Sequence, residues 1–481
     1  MKENMPKKIQ LTPGQQAAYN RLKLFVTRPG KGIFILKGYA GTGKSTLVRE
    51  LIQLLQRKEI SFSLMASTGR AAKIISNITG CDARTVHSQI YTFKSLNQDI
   101  ETMVRKREAD GIDSTGQLLL NFDLLSVSQD PDDARVYIVD EASMISDRPD
   151  PNAVQAVFGS GKLLTDLLNY NAIGKFVFVG DECQLPPVTQ SASPALNEAY
   201  LKENFAFDVE EYVLTEIVRQ QETNDIIQAA SRIRELYINP PVFQKWAKFP
   251  LQGYDNVRIF PDQLSLLEDY VENLKKKGFN HTTMLCLSNK GCDVLTNVIR
   301  PRMGFSQSIL QSGDLLLISQ NNYISGLMNG DLVVVEEIGV KEQRAMLSFI
   351  KVSVKELFTG KIYTQFLLEN ILYSDRTNIT QAEQKELLVD YYFRMKNRGI
   401  HQKNPAFNKM MLSDPYLNAL RAVFGFALTC HKAQGGEWEQ VYLDISKQVP
   451  GMSKPYVYQW LYTAMTRAKM QLNIAMDWWI V

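Results

Sequence analysis

Residues 38–45 read Gly-Tyr-Ala-Gly-Thr-Gly-Lys-Ser, and no other stretch limits the possible folds so tightly. Gly38, four residues, then Gly43-Lys44-Ser45 is the spacing that wraps backbone N–H groups around a triphosphate. Such a loop works only between a strand and a helix, and both are written around it. Ile33-Phe34-Ile35-Leu36 is an apolar run suited to a buried strand, and Leu47, Val48, Leu51, Ile52, Leu54 and Leu55 make a helical stripe behind it. Phosphates at that helix's first turn meet unpaired N–H groups and the positive end of the dipole. Lys44 is then placed to reach the β- and γ-phosphates, and the Ser45 hydroxyl to hold Mg²⁺. The loop implies an α/β protein that binds and hydrolyses a nucleoside triphosphate.

Further strands end in polar loops. Val136-Tyr137-Ile138-Val139 runs into Asp140-Glu141, Phe176-Val177-Phe178-Val179 into Gly180-Asp181, and Met284-Leu285-Cys286-Leu287 into Ser288-Asn289-Lys290. Val423 to Leu428 runs into Thr429-Cys430-His431-Lys432. Apolar runs with chemistry at their C-terminal ends are the mark of doubly wound parallel sheets. Two sets occur, one before about residue 215 and one after, and only the first has a phosphate loop. Two stretches stand apart. Residues 89–130 are polar and acidic and suggest a small inserted hairpin. Residues 311–420 alternate apolar and polar residues around turns such as Asn329-Gly330-Asp331, which predicts a β-rich module.

At 481 residues the chain has room for about three domains. Its 45% hydrophobic and 22% charged content is that of a soluble globular protein, and no apolar stretch approaches a membrane span. The N-terminal Met-Lys-Glu-Asn-Met-Pro-Lys-Lys lacks the apolar core of a signal peptide. Five scattered cysteines with no Cys-x-x-Cys pair argue against zinc and a disulfide framework, and for a reducing cytoplasm. A net charge of only +3 means that any nucleic-acid site must be local.

Asp140-Glu141-Ala142-Ser143 after an apolar strand suits metal-assisted phosphoryl transfer. Asp140 would hold Mg²⁺ and Glu141 would orient and deprotonate the attacking water. Gly180-Asp181-Glu182-Cys183-Gln184-Leu185-Pro186-Pro187-Val188 is a stiffened exit from the next strand. With the phosphate loop, these stretches resemble three core motifs of superfamily 1 helicases, in the RecD-like, Dda-like branch. Other motifs of that family follow in order. Leu11-Thr12-Pro13-Gly14-Gln15 resembles its adenine-reading glutamine motif. Ala66-Ser67-Thr68-Gly69-Arg70-Ala71-Ala72-Lys73 and Thr85-Val86-His87-Ser88 resemble its two strand-binding motifs in the first core. Leu214 to Gln220, Thr429 to Trp438 and Tyr462 to Lys469 resemble the fourth, fifth and sixth motifs. The family often has Pro where this chain has Ser67.

The resemblance implies an ATP-dependent DNA helicase that moves 5′→3′ on single-stranded DNA and opens single/double-strand junctions as a monomer. It implies two RecA-like cores. Core 1A would be residues 1–88 and 131–215, and core 2A residues 216–310 and 421–481. A pin-like insertion 1B (89–130) and an SH3-like insertion 2B (311–420) would complete the chain. Lys44, Glu141, Arg219 and Arg467 are carried over as catalytic, the two arginines facing the γ-phosphate from the second core. ATP would lie against Gln15, Gly38, Gly41, Thr42, Gly43, Lys44, Ser45, Thr46, Gln184 and Glu437, with Mg²⁺ on Ser45 and Asp140. Thr68, Gly69, Thr85, His87, Thr429, His431 and Lys432 would meet phosphates of the nucleic-acid strand, which carry no base code. Tyr91 and Phe93 suit packing under the insertion better than base stacking, and Cys430 and Trp438 suit the core. Two other readings keep parts of this one: a translocase that strips proteins without unwinding, and an ATP-gated single-strand binding protein.

Overall fold

The computed structural model describes residues 10–96, 100, 120–127, 135–149, 156–188, 190–218, 224–242, 244–306, 309–322, 324–374, 376 and 378–481. The first half supplies β1 (Gly32–Gly38), β2 (Phe62–Ala66), β3 (Ala83–Thr85), β4 (Tyr91–Leu96), β5 (Leu120–Leu124), β6 (Val136–Asp140), β7 (Ala156–Phe158), β8 (Lys175–Gly180) and β9 (Val209–Leu214). Six of these form a parallel sheet in the order β3-β2-β6-β8-β1-β9. Alternation within β1 explains its unbroken apolar run. Ile33 and Ile35 enter one hydrophobic cluster, while Phe34 and Leu36 enter another on the opposite face. A central parallel strand covered on both sides needs both sets. The register pairs Lys37 with Gly180 and Ala66 with Asp140, so the phosphate loop, the acid pair and the first strand-binding motif share one edge of the sheet.

The second half supplies β10 (Val257–Phe260), β11 (Thr282–Cys286), β12 (Leu315–Ile318), β13 (Leu332–Arg344), β14 (Leu347–Glu356), β15 (Ile362–Leu368), β16 (Ala422–Phe424), β17 (Leu428–Thr429), β18 (Trp438–Leu443) and β19 (Ala468–Ala475). A second parallel sheet runs β10-β19-β18-β11-β17. Its core holds Trp438, Tyr442, Trp460 and the helix Ile226–Ile238. These are two RecA-like cores, one from each half of the chain.

A five-stranded antiparallel sheet, β15-β14-β13-β12-β16, is inserted into the second core. Arg300 and Asp314 tie its base to that core by a buried two-pronged ion pair, with both N···O distances 2.9 Å. One detail departs from the sequence reading. The apolar run Val423–Leu428 is not one strand. Ala422–Phe424 pairs with β12 of the insertion, and Leu428–Thr429 pairs with β11 of the core. The break falls at Gly425, where a Cβ would sit 3.0 Å from Leu332 and 3.2 Å from the Leu316 backbone, so the chain passes between sheets where a side chain would crowd it. The β-rich insertion also holds helices. It carries the helices Gln381–Asn397 and Pro405–Leu412, and the first opens on a capping box between Thr380 and Glu383.

Of the 89–130 insertion, residues 97–99, 101–119 and 128–130 lie outside the described residues. The described part is an antiparallel hairpin of β4 and β5, to which β7 adds a third strand from within the segment assigned to the first core. Ile100 and Phe93 pack against the two helices of the other insertion, so the two insertions touch.

Candidate nucleotide site and strand-binding motifs

The phosphate loop joins β1 to the helix α2 (Lys44–Arg57). Gly41 and Gly43 adopt φ of +80° and +81°, which side chains rarely accept. At Gly38 a Cβ would lie 2.6 Å from Thr42 Oγ1, and at Gly43 one would lie 2.2 Å from Gln15 Nε2. Lys44 Nζ donates to the carbonyls of Gly38 (2.7 Å) and Tyr39 (3.1 Å). Ser45 and Thr46 lie in the first turn of α2, whose N-cap is Gly43. Gln15 is bonded within the protein at both ends of its amide. Its Oε1 accepts from Thr12 N–H at 3.1 Å, closing a capping box, and its Nε2 donates to Thr42 O at 3.0 Å. The structure thus places Gln15 against the loop through that carbonyl.

Glu141 takes a left-handed conformation, φ +50°, uncommon for a residue with a side chain and held by the turn that follows β6. Burial raises the pKa of Asp140, the adjacent Glu141 raises it further, and Lys44 opposes both. Burial likewise raises the pKa of Asp181, again opposed by Lys44. Two carboxylates in the field of one ammonium, beside a hydroxyl-bearing helix start, suit a triphosphate with one hard divalent cation. Among the described residues no group of three or more His, Cys, Asp or Glu is placed to hold a metal on its own. Gln184 is buried and its Oε1 has no hydrogen-bond partner, a polar cost that a bound ligand would relieve.

The second core is fastened to this edge by side chains to which the sequence reading gave no role. Ala40 N–H of the phosphate loop donates to Tyr462 Oη at 3.0 Å, and Tyr462 Oη donates to Asp181 Oδ2 at 2.7 Å. Thr463 Oγ1 accepts from Leu185 N–H at 2.8 Å, Gln434 Nε2 donates to Leu185 O at 3.0 Å, and Gln459 Nε2 donates to Gln184 O at 2.9 Å. Arg234 lies over the Tyr39 ring at 3.8 Å. Arg70 lies 4.0 Å from the Trp438 ring. The Gly435-Gly436 pair makes room there, since a Cβ at 435 would fall 2.9 Å from Ala71 and one at 436 would fall 2.7 Å from Arg70. Tyr462, Thr463 and Arg70 were quoted within motifs, so the missing signal was not their identity but which core each one touches.

Of the two arginines expected to face the γ-phosphate, one is among the described residues. Arg219 lies outside the described residues. Arg467 is buried and bonded within its own core, Nε to Thr463 O at 3.1 Å, Nη1 to Gly436 O at 3.4 Å and Nη2 to Thr466 Oγ1 at 3.1 Å. These bonds use three of the five guanidinium N–H groups. Glu437 pairs with Lys469 at 3.5 Å.

Among the residues expected to meet nucleic acid, the three threonines cap turns at strand ends. Thr68 Oγ1 accepts from Ala71 N–H at 3.2 Å, Thr85 Oγ1 from Ser88 N–H at 3.2 Å, and Thr429 Oγ1 from Lys432 N–H at 3.4 Å. His87 packs against Phe158 and Tyr91, at ring separations of 5.2 and 5.8 Å. Tyr91 is buried and donates to Asp166 Oδ2 at 2.7 Å, and Phe93 meets Phe122 edge-on, so both rings are packed. Cys430 and Trp438 are buried. Burial lowers the pKa of both His431 and Lys432. Gly69 lies under Met328 of the insertion, whose Cβ would be 2.3 Å from a Cβ at 69. Nearby, Lys73 pairs with Asp331 at 2.7 Å and Glu356 at 3.6 Å. Ser67 N–H donates to Asp140 O at 3.3 Å, a bond that the Pro common in the resembled family has no hydrogen to make.

Two parallel sheets of RecA-like order, with a phosphate loop on the first and the second bonded to its edge, define a tandem-core P-loop nucleotide hydrolase. An AAA domain family matches residues 10–237, and the UvrD-like helicase C-terminal domain matches residues 424–475. An uncharacterized protein of Acanthamoeba polyphaga mimivirus is 23% identical, with 96% of this chain and 99% of that one aligned. The ATP-dependent RecD2 DNA helicase of Deinococcus radiodurans is 25% identical over 92% of this chain, which spans only 46% of that protein. The ATP-dependent DNA helicase dda of Enterobacteria phage T4 is 25% identical over 64% of this chain and 61% of its own length. A Bacteroides Pif1 helicase solved with ADP-AlF3 and ssDNA superposes with a TM-score of 0.45 at 14% identity, covering 98% of this chain and 95% of that one. The chain is similar in sequence to ATP-dependent DNA helicases of the RecD and Dda type, members of superfamily 1. Among the described residues no helix is long and apolar enough to cross a membrane.

Proposed function

We propose that this protein is an ATP-dependent DNA helicase that translocates 5′→3′ on single-stranded DNA and opens duplexes at junctions, working as a monomer in a reducing cytoplasm. The observation that carries the reading is the Tyr462 hydroxyl, bonded at once to the phosphate loop and to Asp181. One side chain of the second core thereby touches two parts of the nucleotide site in the first, so a change at the phosphates is felt across the cleft. Lys44 would neutralise the β- and γ-phosphates. Ser45 and Asp140 would hold Mg²⁺, which supplies further charge neutralisation when bound. Glu141 orients the attacking water and takes its proton. Arg219 and Arg467 would stabilise charge on the transferred group from the second core. Thr68, Thr85, Thr429, His431 and Lys432 lie at or just after strand C-termini of the two cores, where one single strand can cross both. The proposed domain limits remain those given by the motifs, with 1B contributing a separating element and 2B a wall of the strand channel.

The test is unwinding of matched duplexes bearing a 5′ or a 3′ single-stranded tail, with ATP and Mg²⁺. Opening of the 5′-tailed duplex alone is the expected result. Opening from the 3′ tail alone overturns the polarity. Strand-stimulated ATPase with no opening from either tail replaces the helicase by a single-strand translocase. Tight strand binding with negligible ATPase leaves an ATP-gated binding protein.

A further inference from the structure

Cys286 ends β11, and Cys292 lies in the first turn of the helix Asn289–Met303. Their Sγ atoms are 3.2 Å apart. The turn between them is built to let the sulfurs meet. Gly291 faces Cys286, and a Cβ there would lie 3.3 Å from the Cys286 Sγ. Cys286 is buried and its thiol donates to Ser288 O at 3.4 Å, whereas Cys292 is half-buried. Cys292 also lines a cleft with Asn289, Asp293, Thr429, Lys432 and, from the insertion, Arg376. Its sulfur lies within electrostatic reach of Lys432. The Cys292 contact and burial hold Cys286 as a thiol, and Cys292, the more exposed of the two, is the sulfur that an oxidant meets first.

We propose that Cys286 and Cys292 form a reversible oxidation site whose disulfide weakens the grip of the Thr429–Lys432 segment on single-stranded nucleic acid. The second half rests on the function proposed above. The oxidant is a peroxide. The Cys292 thiolate attacks one peroxide oxygen, the O–O bond breaks, and the departing hydroxide takes a proton and leaves as water, giving a sulfenic acid. The Cys286 sulfur attacks the sulfenic sulfur and gives up its proton. The S–O bond breaks, a second water leaves and the S–S bond forms. Two thiols and one hydrogen peroxide become one disulfide and two waters. The sulfurs must close from 3.2 Å to about 2.05 Å. Cys286 is fixed in the sheet, so the displacement falls on the helix start that carries Asn289, Cys292 and Asp293 along the cleft wall facing Lys432.

The experiment treats the full chain with hydrogen peroxide, blocks the remaining thiols and locates them by peptide mass spectrometry. Single-strand affinity is followed in parallel by fluorescence anisotropy, before oxidation, after it, and after dithiothreitol. The expected result is loss of two of the five thiols, a peptide cross-linked between 286 and 292 that is about 2 Da lighter, and a reversible fall in affinity of about fivefold, as for one ordinary hydrogen bond. Cys292→Ser and Cys286→Ser should each abolish both the cross-link and the reversible fall. First oxidation at Cys81, or conversion of Cys292 to sulfinic acid without a cross-link, overturns the site. A quantitative cross-link with unchanged affinity overturns its effect on the grip. If the reduced protein fails to bind single strands, the functional reading fails, and the cross-link measurement still decides the chemistry.

Discussion

Tyr462 shows how much one hydroxyl can hold. Tyr462→Phe removes a bond to the phosphate loop and leaves the buried Asp181 carboxylate short of a donor. The expected cost is about 1–3 kcal/mol of stability in denaturant melts. Strand-stimulated ATPase should fall about tenfold, roughly the rate equivalent of one such bond, with strand affinity little changed. Glu141→Gln keeps the side chain's size and its left-handed turn but loses the base. ATP binding should survive while turnover drops about 10²–10⁴-fold. Near-normal turnover in that variant removes Glu141 from catalysis. His87 gives a pH signature. Burial lowers its pKa from 6.5 to about 4. Between those values the unfolded chain binds a proton that the folded chain refuses. The contribution is therefore complete above pH 6.5 and lost as pH falls toward 4. Melting midpoints should drop through that window, and His87→Gln should flatten the dependence.

Between elements, Lys73 pairs with Asp331 and joins the first core to the inserted sheet. Asp331 is 2% exposed, so a charge left alone there is not rescued by water. Lys73→Met should cost about 3–5 kcal/mol, because it strands a buried carboxylate. Asp331→Asn should cost less, and the double variant less than the sum of the two. Additivity in that cycle would show that the pair does not couple the modules. At this scale the sequence was legible in part. The phosphate loop, the acid pair and the apolar strands before them could be read because each motif occupies one short segment with its own periodicity. The helix Gln381–Asn397 could have been read too. Thr380 and Glu383 are spaced as a capping box, but the reading of a β-rich module rested on the alternating segments upstream. The division of Val423–Leu428 between two sheets was not legible, because an apolar run says that it is buried and not which neighbours bury it.

At the scale of the molecule, the two cores were visible as two sets of apolar strands, but the bonds between them were not. Thr463, Gln434 and Gln459 meet Leu185 and Gln184 across at least 249 residues of chain. No local pattern records such a meeting. Thr463→Val should keep basal ATPase near normal and cut its stimulation by single strands several-fold, since it removes the acceptor for Leu185 N–H without touching the nucleotide loop. Strand binding itself should weaken steadily as salt rises, with a slope set by the number of phosphates contacted. Equal stimulation in the Thr463 variant would mean that the cores communicate by another route.

The passage from β16 to β17 takes only Gly425, Phe426 and Ala427. Ala422–Phe424 is stitched into the insertion's sheet on one side of it, and Leu428–Thr429 into the core's sheet on the other. This short tether is a load path. An obstacle that pushes on the insertion pulls, through three residues, on the backbone that presents Thr429, His431 and Lys432. In the proposed helicase, mechanical resistance ahead of the protein is thus delivered to the proposed grip itself, with almost no slack chain to absorb it.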